Sequence, residues 1–424
     1  MGERGSNWAG NYTYRASQVH RPRTLEELQE VVARAPRLKA LGTRHSFNGV
    51  ADTEGAQVSL ADLPRRAELD ADPEAGTGTV TVDGGSSYGA LAVALQERGW
   101  ALRNLASLPH ICVAGAVATA THGSGDGNRS LADAVRAVEL VTGGGQLVRM
   151  TREDDAFAGA VVHLGALGVV TALELEVVPT YDVRQDVYED LPWDVVHERF
   201  DEITTGVYSV SLFTAWSPRG VDQVWRKSLV PAGSAGSAPP DLFGARPATR
   251  ARHPLPGMSG ENCTPQGGVP GPWLDRLPHF QLRFTPSSGE EVQSEYLLPR
   301  SAVHDALAAM RGLHERVAPL LQACEVRTVA PDDLWLSPTC GQDSVGIHFT
   351  WQRRQGEVER VLRDVEAALV PLGARPHWGK VSCVLPHELA APYERLEDFR
   401  ALARRLDPQG TFTSGFTRRV LQLG

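Results

Sequence analysis

The chain has 424 residues, of which 42% are hydrophobic and 22% charged; this lies near the globular average and excludes a disordered chain, a collagen and a small disulfide scaffold. At roughly 150 residues per domain the length suggests about two or three domains. A net charge of −9, without clustered Lys and Arg, argues against a surface that tracks nucleic-acid phosphates or an anionic membrane. The expected partner is neutral or small and polar.

Five cysteines, Cys112, Cys263, Cys324, Cys340 and Cys383, form neither an even framework nor a CxxC pair, so reduced thiols are expected rather than zinc or disulfides. The start of the chain lacks the apolar core of a signal peptide, and no apolar run approaches the ~20 residues of a membrane span. A cytoplasmic protein is therefore expected. The lysines are only Lys39, Lys227 and Lys380, which makes each a candidate for a specific task.

In chain order, Thr24-Leu25-Glu26-Glu27 reads as a capping box, with Glu27 reaching back to the cap nitrogen. Leu25, Leu28, Val31 and Val32 give the helix one apolar face, and Pro36 ends it. Leu38 to Leu41 is a short strand that delivers the chain into the tight turn Gly42-Thr43-Arg44-His45-Ser46-Phe47, a position where sites form. Thr79 to Val82 is a strand, Gly84-Gly85 a turn, and Tyr88 to Arg98 a helix stopped by Gly99. Val113 to Gly125 is almost entirely small residues and must lie against something large. Val135 to Val141 and Gln146 to Met150 flank Gly143-Gly144-Gly145 as a hairpin. Val169 to Val177 alternates as a half-exposed strand ending at Pro179.

Strand-turn-helix units mixed with hairpins predict an α+β domain over about residues 1–180, not a doubly wound sheet, and no GxGxxG fingerprint supports a Rossmann site. Beyond Tyr181 a second domain of sheet strands is expected. Phe280, Leu282 and Phe284 alternate with polar residues, as do Ile347, Phe349 and Trp351. Pro231 to Pro256 reads as a surface excursion.

Alternation along a strand puts Glu325 and Arg327 on one face, and likewise His348 and Thr350. Trp378-Gly379-Lys380 adds a cation beside an aromatic. No histidine pair has HxH or HxxxH spacing, so no metal site is expected. Ser107 is not in a GxSxG elbow, which argues against a serine hydrolase. Composition and spacing leave a slim stretch able to admit a flat ligand, with a polar sheet face that is not tied to any one substrate.

Three motifs go further: Gly42 to Asn48, Leu105-Ala106-Ser107-Leu108-Pro109-His110, and Val113 through Thr121-His122-Gly123-Ser124-Gly125. They resemble the flavin domain of the vanillyl-alcohol-oxidase (PCMH-type FAD-binding) superfamily. Within it the chain is similar, almost end to end, to the bacterial alditol (xylitol, sorbitol) oxidases. That likeness is carried by Asn7-Trp8-Ala9-Gly10-Asn11, Tyr208 to Phe213, Phe284-Thr285-Pro286-Ser287-Ser288-Gly289, Cys324 to Thr328 and Arg375-Pro376-His377-Trp378-Gly379-Lys380. The resemblance implies a two-domain α+β flavoprotein: an FAD-binding domain over 1–180, completed by about 375–424, and an antiparallel substrate-binding sheet domain, covered by helices, over 181–374.

It also implies FAD bound covalently through its 8α-methyl carbon to His45. Gly42, Thr43, Arg44, His45, Ser46 and Phe47 would cradle the pyrophosphate, with Ser107, Cys112, Gly115, Thr119, Gly123 and Gly125 along the cofactor, Val169 near its adenine and His377 near its isoalloxazine. Arg327 and Lys380 would stabilise the reacting alcohol oxygen, while Ser107, Glu325, His348 and Thr350 would bind further hydroxyls. The implied reaction takes a terminal alditol hydroxyl to the aldose, with molecular oxygen reduced to hydrogen peroxide; a near rival is an aldonolactone oxidase or dehydrogenase, and a remote one a non-catalytic flavin- or polyol-binding protein. Nothing resembles a coiled coil or an obligate-dimer seam, so a monomer is expected. Two positions depart from the family: Cys112 stands in place of serine, a better hydrogen-bonding group, and Asp126 in place of an apolar residue. Asp126 is expected to point to solvent.

Overall fold

A computed structural model describes residues 5–231, 239–284 and 290–423. The first helix, Leu25–Arg34, starts where Thr24 Oγ1 accepts the Glu27 amide at 3.2 Å. The Glu27 carboxylate returns to the Arg23 amide at 2.7 Å, one residue upstream of the expected cap nitrogen. Leu28 and Val32 are fully buried and pack with Leu38, Val58 and Phe412. The strand Leu38–Ala40 follows and pairs in parallel with Ala56–Val58.

Beside this small layer lies an antiparallel sheet in the order Ala67–Asp72, Thr77–Asp83, Val169–Pro179, Val135–Val141 and Leu147–Thr151. Its longest strand, Val169–Pro179, takes the centre, and its buried residues pack with the helix Tyr88–Gln96 and the small-residue helix Val113–Ala118. The chain's end returns to this core: Trp378, Leu396, Phe399, Leu402, Phe416 and Val420 pack there with Leu173 and Leu175.

A second antiparallel sheet runs Asp182–Leu191, Val221–Val230, Ser209–Thr214, Leu321–Val329, Ser344–Gln352, Glu291–Pro299 and Arg375–Pro376. Ile347, Phe349 and Trp351, all with 0% exposure, point to one face, where helices Trp193–Thr204, Val303–Gly312 and Gln355–Leu369 cover them. Alternation sends the polar residues of the same strands to the other face. The fold is therefore α+β with two cores, and the described residues hold five free cysteines. Among these residues no helix is long and apolar enough to cross a membrane.

Phe280 to Phe284 is not a strand. Among the described residues its pairing stops at an isolated bridge between Phe280 and Cys263, where the Gln281 side chain takes the Glu261 and Cys263 carbonyls. Phe280 packs beside Phe213, Trp225 and Cys263, while Leu282 is exposed. The strand of this region begins at Glu291, and motif residues 285–289 lie outside the described residues. In the stretch from Pro231 to Pro256, residues 232–238 also lie outside them, and Arg246–Pro247 pairs with Asp182–Leu191 to form the edge of the second sheet, so the excursion is partly sheet. Replacing Ile347 with Ala should cost about 2–5 kcal/mol, the range for a fully buried aliphatic truncation, whereas Leu229→Ala at an exposed site should cost under about 0.5 kcal/mol. Urea unfolding of both variants measures the difference.

Candidate active site

A cavity of about 470 Å³ lies between the two cores. One wall is the turn Gly42–Phe47, the start of the helix Val113–Ala118 with Thr119, and the turn His163–Gly165; the other is the polar face of the second sheet. Near the chain's beginning, the Trp8 amide donates to the Arg44 carbonyl at 2.8 Å, and Asn7 and Asn11 donate to the Ser46 and Phe47 carbonyls at 3.0 Å each. With those carbonyls tied back, and Arg44 at φ 65, the amides from Thr43 to Ser46 find no acceptor among the described residues. Successive free amides of this kind form a nest for an anion such as a pyrophosphate.

His45 lines the cavity, its ring stacked on Trp8 with centroids 5.4 Å apart and its Nδ1 3.1 Å from Thr43 Oγ1. Burial pushes its pKa down to about 4, so the imidazole is neutral and keeps a free lone pair at neutral pH. Thr43, Arg44, Ser46, Phe47, Ser107, Cys112, Gly115, Thr119 and His377 also line the cavity. Gly42 and Gly115 line the cavity as well, and they also leave space for a side chain: a Cβ at Gly42 would lie 2.4 Å, and at Gly115 2.7 Å, from Cys112 Sγ. They make room for the thiol, which sits at the helix N-cap without a side-chain cap bond, the contact that serine favours there.

Three expected cofactor residues are placed elsewhere. Val169 is fully buried against the first helix, and its neighbour Val170, on the opposite side of the strand, faces the cavity instead. Gly123 and Gly125 lie past the bridge from His122 to Ser130, where the chain has turned toward the second sheet. There the Gly125 amide donates to the Thr328 carbonyl at 2.9 Å; at φ 125 a Cβ would lie 2.2 Å from the Tyr208 carbonyl oxygen. Gly125 thus joins the two halves, while at Gly123 a Cβ would lie 2.4 Å from Asn104 Oδ1. Asp126 neither points free to solvent nor lines the cavity; it pairs with Arg300 at 2.8 Å. The buried Lys39 holds the turn at the far end of the cavity, donating to the Leu164 and Gly165 carbonyls at 2.9 Å each.

On the polar wall the sheet register sets Glu325 beside His348 and Glu295 on the far side of His348. Glu295, 1% exposed, is the hub: Oε1 accepts from Arg327 Nη2 at 2.6 Å and Oε2 from Lys380 Nζ at 2.6 Å. His122 Nε2 lies 3.3 Å from Oε1. Glu325 Oε1 accepts from His279 Nε2 at 2.9 Å, and Arg327 Nη1 reaches Ser107 Oγ at 3.4 Å. Burial alone would raise both carboxyls, yet Lys380 and Arg327 around Glu295, and Arg327 and His279 around Glu325, hold them well below the usual range. Burial moves Lys380 below its ordinary value against the pull of Glu295.

Sequence reasoning found Ser107, Glu325, Arg327, His348, Thr350, His377 and Lys380, all on this cavity, but missed Glu295, Gln293, Glu291 and His279. The signal was present in Glu291-Val292-Gln293-Ser294-Glu295-Tyr296, a polar row alternating with residues of the covered face.

Burial pushes the pKa of both His279 and His348 down to about 4, in His348 with help from Lys380. In the unfolded chain both take up protons near pH 6.5, while the folded ones stay neutral until about 4. Stability is thus expected to fall as pH drops from about 6.5 to 4. Thermal melts of the wild type between pH 7 and 4 should show a larger loss than those of His279→Gln.

Comparison with known proteins matches this architecture. A family model described as FAD binding domain covers residues 16–151, and one described as D-arabinono-1,4-lactone oxidase covers residues 287–420. The chain is 52% identical to the alditol oxidase of a Streptomyces species over 419 residues, 98% of each chain. It is 30% identical to the L-gulono-1,4-lactone dehydrogenase of Mycobacterium tuberculosis over 452 aligned positions, again 98% of each. Among solved structures, cholesterol oxidase from B. sterolicum superposes with a TM-score of 0.79 at 15% identity, covering 99% of this chain and 97% of that one, a likeness of fold. With an FAD-binding half, a cation-lined cavity beside it and full-length similarity at this level, the chain belongs to the alditol oxidase family of FAD-dependent oxidoreductases.

Proposed function

We propose that the protein oxidises the terminal primary alcohol of a linear alditol, such as xylitol or sorbitol, to the aldose, with FAD attached covalently through His45. The observation that carries this reading is the pair of buried cations, Arg327 and Lys380, held on Glu295 at the wall of a cavity whose opposite wall is a free-amide turn. Bound FAD would supply the two-electron chemistry, taking hydride from the substrate carbon at N5 and passing the electrons to molecular oxygen to give hydrogen peroxide.

The remaining work falls to the protein. Thr43 to Ser46 amides hold the pyrophosphate, and His45, neutral and fixed by the Trp8 stack, is the attachment point. Arg327 and Lys380 donate to the alcohol oxygen as it gains negative charge, a role in which preorganised donors outweigh a strong base. Glu325, His348, Thr350 and Ser107 bind the other hydroxyls, which favours a polyol over a plain alcohol because missing hydroxyls would leave these groups unpaired. The cofactor part spans about 1–180 and 375–424, and the substrate part 181–374. The net charge of −9 supports a protein without nucleic-acid or membrane partners, and we place it in the cytoplasm as a monomer.

The full-length identity of 52% to an alditol oxidase, against 30% to a lactone dehydrogenase, supports the alditol. Peroxide release should be faster with xylitol than with a gulonolactone; a flavin-loaded protein that yields no peroxide from xylitol or sorbitol would contradict the reading. Lys380→Met should lower turnover by about 10²–10³-fold, as for loss of one preorganised donor, without altering the flavin spectrum. His45→Ala should release its flavin on acid precipitation, and colour that stays in the pellet would move the attachment elsewhere.

A further inference from the structure

Along the strand Glu291–Pro299, alternation puts Glu291, Gln293 and Glu295 on the cavity face. Glu295 holds the cations, but among the described residues the other two pair with none. Gln293 Nε2 donates to Glu291 Oε1 at 2.6 Å, and Gln293 Oε1 lies 3.1 Å from His348 Nε2. A carboxylate only accepts, so the amide must turn its NH2 to Glu291 and its carbonyl to His348. That carbonyl also only accepts, so His348 carries its hydrogen on Nε2. Because the ring is neutral, with burial pushing its pKa down to about 4, Nδ1 is left with a lone pair.

The opposite tautomer would send Nδ1–H toward Glu325. It would require Gln293 to flip and set its carbonyl oxygen 2.6 Å from a carboxylate oxygen. The geometry agrees: His348 Nδ1 is 3.7 Å from Glu325 Oε2, too far for a hydrogen bond, and the other Glu325 oxygen is already taken by His279. Two acceptors therefore stand side by side with no hydrogen between them. Glu291 is 3% exposed, and its Oε2 has no partner among the described residues. Orienting Gln293 is the one task its side-chain contacts show among the described residues.

We propose that Glu291 and Gln293 are positioning residues that set the tautomer of His348, so that Nδ1 offers a lone pair, beside the Glu325 carboxylate, to a hydroxyl of the substrate. This rests on the reading that the cavity takes a polyol, and it deepens that reading. The wall is then sorted into donors, Arg327 and Lys380, and acceptors, Glu325 and His348. A polyol would be oriented by which of its hydroxyls must donate and which oxygen must accept.

The test uses the flavin-loaded protein with 15N-labelled histidine, the His348 signals being assigned by their loss in His348→Gln. The expected result is an Nε2–H tautomer without substrate and a shift of the Nδ1 signal when xylitol is added. In Glu291→Gln the amide at 293 is free to flip. A second tautomer should appear, and KM for xylitol should rise about tenfold, the factor for loss of one modest hydrogen bond, by more than kcat falls. Gln293→Leu should act in the same direction and serves if the first variant does not fold. An Nδ1–H or doubly protonated ring in the wild type, or an unchanged tautomer in both variants, would overturn the proposal. An Nε2–H ring that xylitol neither shifts nor reduces in intensity would instead overturn the polyol reading, and with it the substrate half of this one.

Discussion

The cations of the polar wall depend on the Glu295 carboxylate. Two cations buried beside a cavity repel each other, by about 4 kcal/mol for unit charges 4 Å apart at an effective dielectric constant near 20. Glu295 relieves this by giving one oxygen to Arg327 and the other to Lys380. The three groups come from separate pieces of chain: the strand Glu291–Pro299, the strand Leu321–Val329, and the segment just after Arg375–Pro376. The sheet order, in which Glu291–Pro299 lies between Ser344–Gln352 and Arg375–Pro376, brings them together. Removing one member of a buried pair costs about 3–5 kcal/mol because a charge is left uncompensated, so the constellation stands or falls as a unit.

The same segment couples the cations to the turn Gly42–Phe47. Asn48 Nδ2 donates to the carbonyls of Trp378 at 2.8 Å and Lys380 at 2.7 Å, and the Phe47 amide donates to the Gly379 carbonyl at 2.7 Å. Trp378 is buried in the first core, while Lys380 faces Glu295 from the second sheet. The chain's return therefore fixes the distance between the nest at Thr43–Ser46 and the cations Arg327 and Lys380. A reaction in which hydride and charge must be handled together at one carbon needs such a fixed separation.

Much of this was legible in the sequence. Period-two alternation located Glu325 with Arg327 and His348 with Thr350, and the Gly143-Gly144-Gly145 hairpin and the strand ending at Pro179 follow from local chemistry. What failed was non-local. Val169 and Val170 differ by one residue in an apolar strand buried on both sides, so alternation cannot say which of them faces a cavity. Gly125 fits a slim cofactor stretch as well as a junction between sheets, and only its bridge to Val329 shows the junction. Phe280 to Phe284 mimics a strand because apolar residues alternate there too. There the Gln281 side chain takes the carbonyls of Glu261 and Cys263, a contact between distant segments that no window of sequence reveals. The polar row from Glu291 to Glu295 alternates as clearly, eleven positions further along the chain than Phe280.

The most direct test of the central claim is to mix the flavin-loaded protein with xylitol without oxygen and follow the visible flavin absorbance. If the cation pair on Glu295 activates an alditol hydroxyl, the oxidised-flavin bands should bleach with formation of one equivalent of aldose. Bands that persist with both xylitol and sorbitol, in a protein that does hold flavin, would show that this cavity is built for another substrate.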